Sequence, residues 1–150
     1  MQNDERGQAE QVVFKIIVAV AVFVVVVGII NWWDTRPQDK IAIIGDPSFG
    51  NPERSPGEST TLTVQIKNMS DVSTAENVLV SVTPSTSVIQ VTSENQFVIG
   101  DLGPGEMRSP VFSILVAQDA INGTYNVTVN VSVDSPFQGD SKTSVITVTT

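Results

Sequence analysis

The feature that most constrains this chain is an apolar run from Val12 to Ile30, which contains a single charge, Lys15. A helix over this run is about 30 Å long, which matches the thickness of the hydrocarbon core of a bilayer. The run is apolar on every face, whereas a surface helix has one apolar stripe. A helix buried in a protein core has the same pattern, but the rest of the chain reads as a β domain that needs no such helix. We therefore predict a transmembrane helix over residues 12–33.

The flanks of this run fit an uncleaved anchor. Lys15 lies one turn from the start, where its ammonium can reach the headgroups, and Trp32 and Trp33 close the other end as interfacial indoles. No small-residue cleavage site follows the run, which argues against a removed secretory signal. We expect a tail over residues 1–11, a linker over residues 34–40 that contains Pro37, and a domain over residues 41–150.

Composition excludes several classes of function. The chain has no cysteine and no histidine, so it lacks disulfides, thiolate metal sites and the commonest general base. Its net charge of −8 disfavours nucleic-acid binding. We predict no catalytic residue, cofactor, metal site or small-molecule substrate, and hence no enzyme. Two pairs of acids offer an alternative as Ca²⁺ ligands, but none has the spacing of an EF-hand, and we interpret them as solvated turn residues: Asp101 with Asp119, and Asp134 with Asp140.

After the linker, short segments of alternating apolar and polar residues recur between turns rich in Gly, Pro and Ser. The clearest runs from Tyr125 to Val133, where every second residue is apolar. Further strands are predicted at 41–44, 61–67, 77–83, 88–91, 96–99, 111–117 and 144–149, with a loop at 45–59. Seven or eight such strands indicate a mainly β fold, an immunoglobulin-like antiparallel β-sandwich behind the N-terminal transmembrane helix.

Four sequons are candidate N-glycosylation sites: Asn68, Asn122, Asn126 and Asn130. In the strand 125–133, the last two lie on the face opposite Tyr125 and the valines, which is the expected solvent side. Ordinary polar filling of an exposed strand face is the alternative. Lysine and arginine are nearly balanced across the apolar run, so the sequons decide the orientation. They predict a single-pass protein of the cell membrane with its C-terminal domain outside the cell.

The tail Asp4-Glu5-Arg6-Gly7-Gln8 resembles the leaders of archaeal prepilins and prearchaellins. The resemblance implies cleavage after Gly7, with Gln8 as the new N-terminus. Glu10 comes earlier than the usual acidic position, and Lys15 interrupts a helix that pilins keep apolar. A plain charged cytoplasmic tail is the alternative.

The domain resembles CARDB-like surface β-sandwich modules of archaea and bacteria. The resemblance rests on Leu62-Thr63-Val64-Gln65-Ile66-Lys67-Asn68, Asn77-Val78-Leu79-Val80-Ser81-Val82, Gly100-Asp101-Leu102-Gly103-Pro104-Gly105-Glu106 and Asn122-Gly123-Thr124-Tyr125. It implies a spacer, adhesion unit or envelope component. In the second loop, Pro104 fixes φ and Gly105 can adopt positive φ, so a tight turn is expected there.

These patterns predict a non-catalytic, membrane-anchored β-sandwich that serves as an envelope structural or adhesion component. A pilin-like or archaellin-like filament subunit is the first alternative, because an all-round apolar helix suits a helix bundle as well as lipid. An accessory subunit of a larger membrane complex is the second. The expected partners are membrane lipid and other envelope or filament proteins, with self-association among the alternatives.

Overall fold

A computed structural model describes the backbone of residues 3–34 and 39–150, and the side chains of residues 10–26 and 39–150. The chain forms two compact units, Met1–Pro37 and Gln38–Thr150.

The first unit contains one helix, α1, over Asn3–Asp34. It starts well before the predicted span, and Pro37, three residues beyond its end, is a residue that helices do not continue through. From Val12 to Val26 its large apolar side chains are all exposed, by 44 to 68%. Within the residues that the structure describes, no helix meets the length and hydropathy required to cross a membrane. The predicted positions Gly7, Gln8, Trp32 and Trp33 lie outside the residues with described side chains.

The second unit is built almost entirely of strands, more of them than the sequence predicts. They are β1 Ile41–Ile43, β2 Ser48–Phe49, β3 Glu53–Arg54, β4 Ser59–Thr63, β5 Ile66–Asn68, β6 Ala75–Pro84, β7 Ile89–Val91, β8 Gln96–Leu102, β9 Met107–Arg108, β10 Val111–Val116, β11 Gly123–Ser132 and β12 Asp140–Val148. The predicted loop 45–59 contains β2 and β3 and the start of β4, and β9 follows the Pro104-Gly105 turn. β2, β3 and β9 are two residues long, too short for an alternation pattern to reveal.

The strands form three sheets in the orders β1-β5-β9, β2-β4-β10-β7 and β3-β12-β11-β6-β8. All pairings between these strands are antiparallel except that of β12 with β3. Buried apolar residues from all three sheets join one core, as expected for a β-sandwich. The mainly β prediction is therefore confirmed.

The predicted strand 61–67 is divided between two sheets. β4 pairs with β10, whereas β5 pairs with β1 and β9. Between them, the N–H of Val64 donates to the carbonyl of Pro110 at 3.0 Å. Leu62, Val64 and Ile66 are nevertheless all fully buried. The alternation therefore predicts the buried face of this segment correctly, but it contains no information about a change of hydrogen-bonding partner.

Local contacts define both ends of this sandwich. Gly105 has φ of +67°, as the sequence predicts, and the N–H of Glu106 donates to the carbonyl of Gly103 at 3.1 Å. Near the start of β11, the hydroxyl of Tyr125 donates to the carbonyl of Ile121 at 2.9 Å. A tyrosine that bonds back to the backbone in this way is a hallmark of immunoglobulin-like sandwiches.

Candidate functional site

The outer face of the five-stranded sheet presents polar side chains from neighbouring strands. It is centred on β11, which lies between β12 and β6. Valines 127, 129 and 131 point into the core, so the residues between them point outward. We call this surface the hydroxyl face. It consists of Ser81, Thr83, Asn126, Thr128, Asn130, Ser141 and Thr143. Each of these residues lies opposite another member on a neighbouring strand, except Asn126, which lies opposite Val145.

Hydrogen bonds connect the side chains of the hydroxyl face across strands. The hydroxyls of Thr128 and Thr143 lie 3.2 Å apart. The hydroxyl of Ser141 donates to Oδ1 of Asn130 at 2.7 Å, and the hydroxyl of Ser81 donates to the backbone carbonyl of Asn130 at 3.4 Å. Such cross-strand pairs stabilise a sheet modestly and hold its polar groups in a fixed pattern.

Three of the four candidate glycosylation sites are exposed. Asn126 and Asn130 lie on the hydroxyl face, as their position in the strand predicts. Ser141 bonds to the side-chain oxygen of Asn130. This bond does not use Nδ2, which is the atom that would carry a glycan. Asn122 lies just before β11, and its Oδ1 accepts a hydrogen bond from the N–H of Thr150 at 2.8 Å.

Asn68 differs from the other three, because it is fully buried. Its Nδ2 donates to the carbonyls of Ser73 and Leu102, each at 2.9 Å, and its Oδ1 accepts from the N–H of Ser70 at 2.9 Å. The nitrogen that a glycan would occupy is thus committed to two backbone acceptors inside the domain. This placement corrects the prediction for Asn68, which the fold uses as an internal hydrogen-bonding group.

Asp134 and Asp140, the second pair considered as Ca²⁺ ligands, each have a different local partner. Asp140 accepts from the N–H of Ile43 at 2.9 Å and lies 3.7 Å from the ammonium of Lys40. Asp134 instead accepts from Nδ2 of Asn77 at 2.6 Å. Among residues with described side chains, no group of three acidic residues is placed to hold a metal ion. Asp134 and Asp140 therefore serve neighbouring backbone and side-chain groups.

A shallow open depression of about 410 Å³ lies near the β7–β8 connection. It is lined by Val82, Thr83, Pro84, Val91, Ser93, Glu94 and Asn95. Its only ionisable group is Glu94, which has no second acid or base beside it in that lining. The hydroxyl and amide groups in the same lining suit surface recognition by hydrogen bonds.

Comparison with known proteins places the domain by its fold. No protein-family profile matches the chain, and no curated protein shows significant sequence similarity to it. Solved structures do match. One is the α2-macroglobulin of Escherichia coli from domain MG7 to the C-terminus, with 18% identity and a TM-score of 0.58 over 75% of this chain and 17% of that chain. Another is Salmonella α2-macroglobulin reacted with methylamine, with 14% identity and a TM-score of 0.57 over 72% of this chain and 7% of that chain.

A CARDB domain from Pyrococcus furiosus, solved in complex with di-metal ions, also matches, with 16% identity and a TM-score of 0.49 over 73% of this chain and 84% of that chain. The chain spans 17% or less of the length of the macroglobulin chains. At these identities the macroglobulin matches show the fold alone. The structure and the macroglobulin comparisons together establish that residues 39–150 form a β-sandwich.

Proposed function

We propose that this protein is a non-catalytic β-sandwich held at the cell surface by its N-terminal helix, where it serves as an envelope structural or adhesion component. The observation that carries the proposal is the contrast between the two units. One is a helix whose described side chains from Val12 to Val26 expose apolar groups on every side. The other is a β-sandwich with its own core.

The helix needs an apolar surrounding. Phe14 and Phe23 are each 68% exposed, and the valines and isoleucines around them are exposed by 44 to 63%. A continuous apolar surface of this extent is unfavourable in water. The sequence run to Ile30 supplies enough apolar length for a bilayer, whose interior also favours a fully hydrogen-bonded helix. Membrane lipid is therefore the proposed partner of α1.

The surface of the sandwich supports a role in binding other proteins rather than in catalysis. Its hydroxyl face offers an ordered array of hydroxyl and amide groups, and its charge is predominantly acidic. Such a surface favours polar contacts with other envelope proteins. Exposed Asn126 and Asn130 support placing the domain outside the cell, where sequons are glycosylated.

Membrane extraction tests the proposal. The full chain should stay in the membrane pellet after an alkaline carbonate wash. Replacing Val20 and Val24 by arginine should release it, because each charge near the helix centre costs about 2.5 to 3.5 kcal/mol on insertion scales. The matched control variant has arginine in place of Val111 and Val145, two valines of the sandwich with similar exposure, and it should stay in the pellet. A wild-type chain that washes off the membrane would overturn the proposal.

A pilin-like or archaellin-like filament subunit is the second candidate, favoured by the continuity of α1 from Asn3 to Asp34. An apolar helix of that length can pack in a bundle with other copies, where small and apolar side chains replace lipid. In this case the leader resemblance implies a mature chain that begins at Gln8. An accessory subunit of a larger membrane complex uses the same surfaces, with the helix packed against other membrane helices.

A further inference from the structure

One sheet edge of the sandwich differs from the other edges in the described part of the chain. The three sheets end in six edge strands: β1, β9, β2, β7, β3 and β8. Five of these are two or three residues long, whereas β8 runs for seven residues, from Gln96 to Leu102. Short edge strands are one means by which proteins prevent pairing with another chain. β8 lacks that protection.

The first half of β8, before the register irregularity at Gly100 and the charge of Asp101, also lacks side chains that protect an edge. Phe97 is 46% exposed and Val98 is 74% exposed. The strand contains no lysine and no proline, the residues that most often block edge pairing. On one side it pairs with β6, where Val98 lies opposite Leu79. The backbone groups on its other side have no partner strand among the described residues. The edge thus combines backbone groups that pair with no strand with two exposed apolar side chains, Phe97 and Val98, and the partly buried Ile99 that follows them.

We propose that β8 is a self-association edge that pairs antiparallel with β8 of a second copy across a two-fold axis. The sequence of the strand is self-complementary in one register. With Val98 opposite its symmetry mate, Phe97 lies opposite Ile99 of the other copy, so each of these three residues has an apolar neighbour. Apolar cross-strand pairs of this kind stabilise antiparallel sheets. The result is an isologous dimer with one continuous ten-stranded sheet, twice the five strands of each copy.

The charges near the edge are compatible with this register. Asp101 lies opposite Asn95 of the second copy, and Glu94 lies opposite Leu102, so no two acids face each other directly. The net charge of −8 on each chain still opposes association over longer distances. Salt screens such repulsion, with a Debye length of about 10 Å at 0.1 M. The dimer should therefore strengthen as salt increases.

Cross-linking of the full chain in detergent tests the register directly. The chain has no native cysteine, so one introduced thiol reports one position. Directly opposite residues in an antiparallel pair have Cβ atoms about 4.5 to 5.5 Å apart, close to the range that a disulfide spans. Val98→Cys should form a covalent dimer at least about tenfold faster than Val111→Cys, in the interior strand β10. Val111 is a matched control because it is also an exposed valine. Equal rates would overturn the proposal.

Association measured by light scattering provides a second test, which does not depend on oxidation. Val98→Lys places two like charges opposite each other and should raise the dimer dissociation constant about tenfold or more, whereas Val111→Lys should leave it unchanged. Both valines are exposed, so both variants should keep the thermal unfolding midpoint of the wild type at a concentration where the wild type is monomeric. Both variants also retain α1, so association through the helix affects them equally. A wild-type chain that stays monomeric, or a dimer that Val98→Lys does not weaken, would overturn the proposal. Binding of an extended segment of another protein at β8, in place of a second copy, would also overturn it.

Discussion

The side-chain nitrogen of Asn68 donates a hydrogen bond of 2.9 Å to the backbone carbonyl of Leu102, thirty-four residues further along the chain. Both residues are fully buried. The bond joins the end of β5 in the three-stranded sheet to the end of β8 in the five-stranded sheet. The side chain of Asn68 thereby links the three-stranded sheet to the five-stranded sheet. An apolar residue at this position would leave the carbonyls of Ser73 and Leu102 without this donor.

Replacing Asn68 by alanine should therefore be costly. The change leaves the carbonyls of Ser73 and Leu102 and the N–H of Ser70 without their partner. We expect a loss of about 2 to 4 kcal/mol in the free energy of unfolding, since a buried polar group without a partner costs about 1 to 3 kcal/mol. Urea unfolding of the Gln38–Thr150 unit measures it. Asn126→Ala, at an exposed sequon, should change stability by less than about 0.5 kcal/mol, and equal effects would contradict the role given to Asn68.

The register of β11 predicts opposite outcomes for two adjacent substitutions. Val129 is fully buried, whereas Thr128 is on the hydroxyl face. Val129→Asp should prevent folding of the isolated Lys40–Thr150 domain, because an unpaired charge in the core costs several kcal/mol. Thr128→Asp should leave a folded, β-rich monomer, as judged by circular dichroism at low concentration. Identical behaviour of the two variants, or a wild-type fragment that does not fold, would contradict this register of β11.

Gly139 is the glycine of this domain that packing constrains most. A Cβ built on it would lie 1.9 Å from the carbonyl oxygen of Val131, which is a backbone atom and cannot rotate away. Gly139→Ala should displace the start of β12 and lower the thermal unfolding midpoint by about 10 °C or more, as expected for a loss of about 2 to 3 kcal/mol. Gly123→Ala is the control, since its Cβ would contact only the ring of Tyr125 at an ordinary 4.0 Å. A midpoint unchanged by Gly139→Ala would show that the backbone relaxes there.

The alternation of apolar residues was sufficient to predict the β-sandwich and the face that each residue of β11 presents. It was not sufficient for residues whose environment depends on distant partners. Asn68 lies in a sequon, as Asn126 does, yet its side chain bonds to the backbone of Ser70, Ser73 and Leu102, and no local sequence pattern shows this. The exposure of β8 was also missed, because edge position depends on strand order rather than on sequence. The only sequence feature that points to an exposed apolar edge is the apolar triplet 97–99, which lies beside a predicted turn.

The mass of the native N-terminus separates the anchor from the filament subunit. An anchor keeps residues 1–7, and Lys15 then lies near the inner headgroups. A processed pilin begins at Gln8, which places Glu10 near the new α-amino group of a neighbouring copy, where opposite charges attract. Mass spectrometry of the N-terminal peptide should find the chain starting at or near Met1. A start at Gln8 would make the filament subunit the leading proposal.

Protease treatment of intact cells, followed by mass analysis of the fragment that remains with the membrane, tests whether the β-sandwich lies at the cell surface. We expect the β-sandwich or the linker before it to be cleaved from outside, and a short fragment containing the tail and α1 to stay protected. The same protease should digest the whole chain once the cells are broken and the membrane is dissolved. If the tail is cleaved in intact cells while the β-sandwich stays intact, the orientation is reversed and the proposal of a surface-exposed module is contradicted.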